Sequence, residues 1–429
     1  MNIAVFSRST TTHFVSGGME TQLKNLVEGL SEIGHKVTVI TTSYPVVGDI
    51  MKENKLENTN GVEYFYIGGT TSGLLPLTIF ELPWKSFGYL DRGNKKEGTK
   101  NYFIESLKVF NELNLKNKFD VIISQSTGAQ GVIGSVDTPV VSILHGTISG
   151  EIRNRATSCK TFSNWARFLL IDLPKLKTEL IISNRRFFKK NLAIVSVSNI
   201  LASQFLEEYT GSQKVLIKKK LSVIYNGVDS EKFSPSDTKH KGFKLLYVGR
   251  FDYEKGVDLI IKAVSELKLM NIDVTVDLIG GGIEEQSLKD LAKSLNVYEK
   301  FNFLGQISND KLPKYYNAAN LFVFPSRRLE GQPMTVAESF CCGLPVVATK
   351  SGGLSEIIQD SVNGVFIDAE NYIDIADKIQ ALFVHKKRLE QMSKNARKSG
   401  LLNFSKVSMV KKYEKLLESI SNGKTKQIL

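Results

Sequence analysis

The sequence predicts an α/β fold built from two Rossmann-like, doubly wound parallel-sheet domains that face each other across a cleft. Three observations carry this expectation. Short β-branched and aromatic runs alternate with longer amphipathic stretches, and the series of runs restarts once near the middle of the chain. Several runs are apolar throughout, as strands covered on both faces must be. A length of 429 residues also exceeds one typical core.

In the first half the strand candidates are Asn2–Phe6, Val37–Thr41, Val62–Ile67, Asp120–Ser124, Val140–Leu144, Leu192–Val197 and Leu221–Tyr225. The second series is Lys244–Val248, Val274–Ile279, Phe301–Leu304, Leu321–Phe324, Val346–Ala348 and Val365–Ile367. Between them, residues 230–242 are polar, with Pro235, Asp237, Lys239 and His240. This stretch is expected to bury little and to link a first domain over 1–229 to a second over 243–403. A last helix follows over about 404–421, capped by Ser405 and apolar at Val407, Val410, Tyr413, Leu416, Leu417 and Ile420.

Lysine and arginine number 56 against 44 acidic residues, a formal net charge of +12 that favours an anionic partner. Nucleic acid, anionic lipid headgroups and phosphorylated substrates all fit, as does a plain solvated lysine-rich face. No nucleic-acid-binding module is recognisable, so nucleic acid is not an expected partner. The three cysteines, Cys159, Cys341 and Cys342, form no C-x-x-C and suggest neither a disulfide framework nor a metal site. That pattern suits a reducing cytoplasm. Met1–Phe6 enters a strand without a basic n-region, so no signal peptide is expected, and no run is long enough to cross a bilayer. The expected location is the cytoplasm, or the inner face of the cytoplasmic membrane.

Ligands of open α/β sheets bind at the strand C-termini, so chemistry should lie in the loops that follow strands. After the first strand, Gly17-Gly18-Met19-Glu20 opens a helix, where paired glycines either cradle an anion or make a turn needing positive φ. His145 ends the strand Val140–Leu144, placed to hydrogen-bond a hydroxyl or to serve structure alone. In the second half, Gly249-Arg250 follows a strand and Lys255-Gly256 opens the next helix. Two cations at a strand exit suit a diphosphate. Gly280-Gly281-Gly282 also ends a strand, but G-x-G-x-x-G and the P-loop pattern are both missing from the sequence, which speaks against nicotinamide or flavin redox chemistry and P-loop phosphoryl transfer. The densest segment is Pro325 to Glu338. Glu330 lies in its loop, the N–H groups of Met334 and Thr335 start a helix, and Glu338 follows on that helix.

These loops together resemble the retaining family 4 of nucleotide-sugar glycosyltransferases, which have the GT-B fold. The resemblance rests on Gly17-Gly18-Met19-Glu20, Tyr225-Asn226-Gly227-Val228-Asp229, Val248-Gly249-Arg250 with Lys255-Gly256, and Glu330-x7-Glu338. Phe303-Leu304-Gly305, Gly343-Leu344-Pro345 and Gly352-Gly353 join them in the expected order. The resemblance implies that Arg250 and Lys255 hold a donor diphosphate, with Gly17, Gly18, Gly249, Gly280, Gly331, Met334 and Thr335 lining the donor site. It places Glu330 at the donor sugar, Glu338 at the ribose, Ile307 at the base through its backbone, and His145 near the reacting face of the sugar. It also implies that the last helix returns to the first domain. The implied partners are a nucleotide-diphosphate sugar and a glycan or lipid-linked acceptor, with no cofactor and no metal. The sequence holds no Asp-x-Asp. It departs from the family at Gln332-Pro333, where many members carry glycine and phenylalanine, and this leaves the donor's identity open. An epimerase, a phosphorylase or a non-catalytic scaffold on the same architecture are the competing readings.

Residues 151–190 hold ten Lys or Arg against three Asp or Glu, interleaved with Phe162, Trp165, Phe168, Phe187 and Phe188. The run Arg185–Lys190 reads either as a surface for anionic headgroups or as a basic helical exterior with its aromatics turned inward.

Overall fold

The computed structural model describes residues 1–13, 17–43, 45–46, 49–70, 74–75, 90–91, 100–157, 159, 161–178, 184–236 and 242–422. They form two compact units. Unit 1 takes residues 1–152, 161–224 and the chain from Met409, and unit 2 takes 153–160 and 225–408. Of the expected linker, Asp237, Lys239 and His240 lie outside the described residues.

Unit 1 contains strands β1 (Asn2–Phe6), β2 (Lys36–Thr42), β3 (Pro45–Val46), β4 (Asp49–Ile50), β5 (Lys55–Thr59), β6 (Val62–Ile67), β7 (Leu74–Leu75), β8 (Leu90–Asp91), β9 (Val121–Gln125), β10 (Val140–Leu144), β11 (Ala193–Ser196) and β12 (Leu221–Val223). Eight of them make one sheet in the order β12-β11-β10-β9-β1-β2-β6-β5. Every pairing is parallel except β5 with β6. Side chains alternate between the faces of a strand, and the core of unit 1 divides accordingly. Ile3 and Val5 join one apolar cluster with Leu23, Leu26 and Leu30, whereas Ala4 and Phe6 join a second with Phe110 and Ile122. Burial on both faces is why these strands read as unbroken apolar runs.

Strand β5 escaped the sequence reading because Lys55–Thr59 is polar and mostly exposed at the sheet edge. Its signal was the Asn60-Gly61 pair, at φ 52° and 76°, a tight turn that folds β5 back onto β6. The last helix, Lys406–Ser421, carries Met409, Val410, Tyr413, Leu416, Leu417 and Ile420 in the first cluster of unit 1. Val407, expected among its apolar contacts, is 60% exposed. Ser405 accepts from the Ser408 N–H at 3.2 Å, as a helix cap does.

Unit 2 contains β13 (Phe243–Val248), β14 (Val274–Ile279), β15 (Phe301–Phe303), β16 (Leu321–Phe324), β17 (Val346–Thr349) and β18 (Gly364–Ile367). They form an all-parallel sheet in the order β15-β14-β13-β16-β17-β18, with helices between the strands. The order reverses between β13 and β16, so the loops leaving these two strands diverge and leave a crevice. Residues 230–236 belong to unit 2, with Phe233 buried in its core and Glu231, Pro235 and Ser236 exposed.

Candidate active site

In unit 2 the residues singled out on either side of the strand-order switch meet. Lys255, which ends a single 3-10 turn after β13, places Nζ 2.7 Å from Oε1 of Glu330, in the loop after β16. Ser326 donates to the same oxygen at 2.8 Å, leaving the lone pairs of Oε2 for other donors. The two charged side chains are 14% and 12% exposed, so their attraction is only partly screened. Burial opposes the charge of Glu330, yet Lys255 and Ser326 hold its carboxyl below the usual range.

Glycines set how close these loops come. Gly280 has φ 137°, and a Cβ there would lie 1.8 Å from the Gly249 carbonyl oxygen. Gly256 has φ 70° and would place a Cβ 2.2 Å from the Pro325 oxygen. Gly352-Gly353 presses on Glu330 itself. A Cβ on Gly352 would lie 2.3 Å from the backbone carbonyl oxygen of Glu330, which also accepts the Gly353 N–H at 2.7 Å. Arg327 locks the segment from behind, with a two-bond fork to Asp258 at 2.7 and 3.0 Å and a bond to the Tyr253 carbonyl.

Arg250 is the exposed cation of the group. Its guanidinium is 62% exposed and pairs with Asp252 at 3.0 Å. Burial pushes the Asp252 carboxyl up, against the pull of Arg250 and Lys255. Gly331 follows Glu330, and Met334 and Thr335 begin the helix Met334–Cys341, whose first N–H groups have no intrahelical acceptor. Ile307 packs half-buried against the core of unit 2.

Glu338 does not lie on a solvated helix face. It is 2% exposed, accepting from Tyr316 Oη at 2.8 Å and Asn309 Nδ2 at 2.9 Å, and burial raises its carboxyl above the ordinary range. Nothing in the sequence pattern marked Asn309 or Tyr316. The Gln332 departure also finds its place, since its side chain turns inward to accept the Asn226 N–H and donate to the Asn226 carbonyl. Cys341 and Cys342 are buried, and burial pushes the Cys341 thiol up to about 12, which leaves it a poor nucleophile.

Unit 1 assembles different chemistry. Its strand order switches between β1 and β9. Gly17 caps the helix Gly18–Glu32 at φ −125°, so no positive φ is needed there. Its N–H donates to Glu20 Oε2 at 2.9 Å while Ser9 donates to Oε1, so the chain's own carboxylate already engages one donor of the expected cradle. His145 follows β10, and its Nε2 lies 2.5 Å from Oε1 of Gln125, the last residue of β9. The Gln125 amide donates to buried Gln22 at 3.1 Å, and Gln22 reaches Met409 Sδ at 3.9 Å. With the Gln125 nitrogen so committed, its oxygen faces the imidazole and Nε2 must carry the proton. Burial pushes the ring down to about 4, so it is neutral near pH 7, with Nδ1 as an acceptor. Gln125 and Gln22 had no signal beyond their polarity within apolar surroundings.

Among the described residues no cluster of His, Cys, Asp or Glu could hold a metal ion, and no helix is long and apolar enough to cross a membrane.

Known proteins share this organisation. The sequence model of Glycosyltransferase Family 4 matches residues 16–232, and that of Glycosyl transferases group 1 matches residues 228–399. The gpi3 subunit of phosphatidylinositol N-acetylglucosaminyltransferase from Schizosaccharomyces pombe is 23% identical over 94% of this chain and 78% of its own. Sucrose-phosphate synthase from Thermosynechococcus elongatus superposes with a TM-score of 0.74 at 18% identity, over 98% of this chain and 99% of its own. The Anabaena protein HepE, solved with UDP-glucose, gives 0.68 at 18% identity over 98% and 100%. With both family models falling on the two units in order, the chain belongs to glycosyltransferase family 4 and is a glycosyltransferase of the GT-B type.

Proposed function

We propose that this enzyme moves a hexosyl group from a UDP- or GDP-linked sugar to a hydroxyl of a glycan or lipid-linked precursor, with retention at the anomeric carbon. The observation that carries the reading is the largely shielded Lys255–Glu330 pair, with exposed Arg250 in the loop after β13, where the strand order of unit 2 reverses. Fixed cations there suit the charge that grows on a departing diphosphate, and a low-dielectric setting strengthens their effect. Lys255 and Arg250 hold the phosphates, aided by the N–H groups of Met334 and Thr335. Glu330 Oε2 accepts from sugar hydroxyls, Glu338 accepts from the ribose, and Ile307 offers its backbone to the base. In unit 1, neutral His145 offers Nδ1 as a hydrogen-bond acceptor to a hydroxyl, and Gly18 offers a helix start to an anion. The acceptor oxygen bonds to the anomeric carbon as the bond to the phosphate oxygen breaks, and the acceptor proton passes to that phosphate on the same face. Among the described residues no carboxylate left without a role stands out as a nucleophile for the alternative double displacement.

A thermal-shift series with UDP, GDP, ADP, dTDP and their sugar conjugates tests the donor site, repeated with Arg250→Ala. A ligand that binds only the folded protein raises its melting temperature. Stabilisation by one nucleotide family, lost in the variant, is expected. No response to any of them at millimolar concentration overturns the reading.

A further inference from the structure

Ten residues of unit 1 hold five large apolar side chains against solvent. Phe162 is 90% exposed, Trp165 41%, Leu169 52%, Leu170 73% and Ile171 57%. No other ten-residue stretch among the described residues exposes as many. They sit on one uninterrupted helical segment, α-helical over Phe162–Arg167, π-helical over Phe168–Asp172 and α-helical again over Leu173–Thr178. Thr161 caps its start by accepting the Asn164 N–H. Phe168 and Leu176 are buried, so the segment has an inner side, and the exposed residues form an outer one. The run Arg185–Lys190 does not supply such a surface. Phe187 and Phe188 are each 2% exposed and stack edge-on with each other, Phe188 also packing on Phe205.

Charge chooses the occupant. The segment exposes Arg167 and Lys177 and also holds Lys175, against a single acid, Asp172. A second copy of the chain would set these cations against one another, whereas an anionic bilayer answers both the apolar and the basic part. We propose that residues 162–171 are an interfacial anchor that lays unit 1 on an anionic membrane surface. Phe162, Trp165, Leu169 and Leu170 enter the headgroup–acyl boundary while Arg167 and Lys177 stay among the phosphates. The anchor deepens the lipid-linked-acceptor reading, because it would hold the enzyme where such an acceptor resides.

The full chain should sediment with phosphatidylcholine vesicles that contain phosphatidylglycerol, less so in high salt, and not with phosphatidylcholine alone. The double variant Phe162→Ser/Leu170→Ser alters only exposed side chains and should lower partitioning about tenfold, as should Arg167→Gln/Lys177→Gln. Equal binding by wild type and either variant overturns the anchor, as does equal binding to neutral vesicles or no binding at all. Self-association abolished by the first variant, without vesicle binding, overturns it in favour of a second copy. The UDP and GDP thermal shift, run on the same proteins, separates the two proposals. Lost vesicle binding with the nucleotide shift intact concerns the surface, and the reverse concerns the donor site.

Discussion

Both units reverse their strand order beside a central strand, and each places its singled-out residues in loops that follow the C-terminal ends of its strands. The chemistry of the two ends differs. In unit 2 those loops carry Arg250, Lys255 and Glu330, with glycines bringing one backbone directly against another. In unit 1 the equivalent position holds an uncharged chain from His145 through Gln125 and Gln22 to Met409, while Glu20 is engaged at its own helix start by Ser9 and the Gly17 N–H. Stabilising a diphosphate calls for positive charge fixed in advance, and fixed charge needs rigid close-packed loops. Orienting a hydroxyl calls for a neutral acceptor held in one tautomer. The proposed function accounts for the division between the units by these two needs.

If rigidity belongs to unit 2, the largest effect should come from Gly280→Ala. Its Cβ would collide with the Gly249 carbonyl at a backbone angle that L-residues avoid, at a cost of about 3–5 kcal/mol. Gly146→Ala in unit 1 meets nothing within 4 Å and should stay within about 0.5 kcal/mol. Denaturant unfolding of the two variants checks the contrast, and similar losses would erase it.

A double-mutant cycle of Lys255→Met and Glu330→Gln should show coupling of about 2–3 kcal/mol at neutral pH. The folded carboxyl of Glu330 is depressed, so this stability is present above its unfolded value and lost as pH falls through the folded one. Coupling that persists in acid would mean that packing, not charge, joins the pair.

The smallest effect belongs to unit 1. The His145 ring is held near 4 against 6.5 when unfolded, so wild type should lose stability relative to His145→Gln as pH falls across that window. The loss should be about 1–2 kcal/mol, because the ring is only half-buried and water screens part of the change. A flat difference between the two proteins over this range would remove the neutral relay from the comparison.

Much of this was legible in the chain itself, for reasons specific to each part. Central strands such as β1 and β13 were visible because burial on both faces leaves no polar positions to blur them. Strand β5 was not, because an exposed edge permits polar residues and only its Asn60-Gly61 turn betrays it. Lys255 and Glu330 stood out because charge at a strand exit is unusual. Their pairing across 75 residues did not, because no local pattern encodes a contact between loops that the sheet brings together. The aromatics of residues 151–190 show the same limit, since composition was identical for both readings. The structure turned Phe187 and Phe188 inward and left Phe162 and Trp165 outside.

The sequence alone determined the fold class, the two strand series and the glycosyltransferase loops, since all of these depend on local periodicity and on residue types confined to strand exits. Tertiary structure alone decided which partners satisfy those residues: Asn309 and Tyr316 on Glu338, Asn226 on Gln332, and Gln125 on His145. The physical reason is that a buried polar group must find a partner, and the partner is whichever group the packed chain brings within about 3 Å, however distant in sequence.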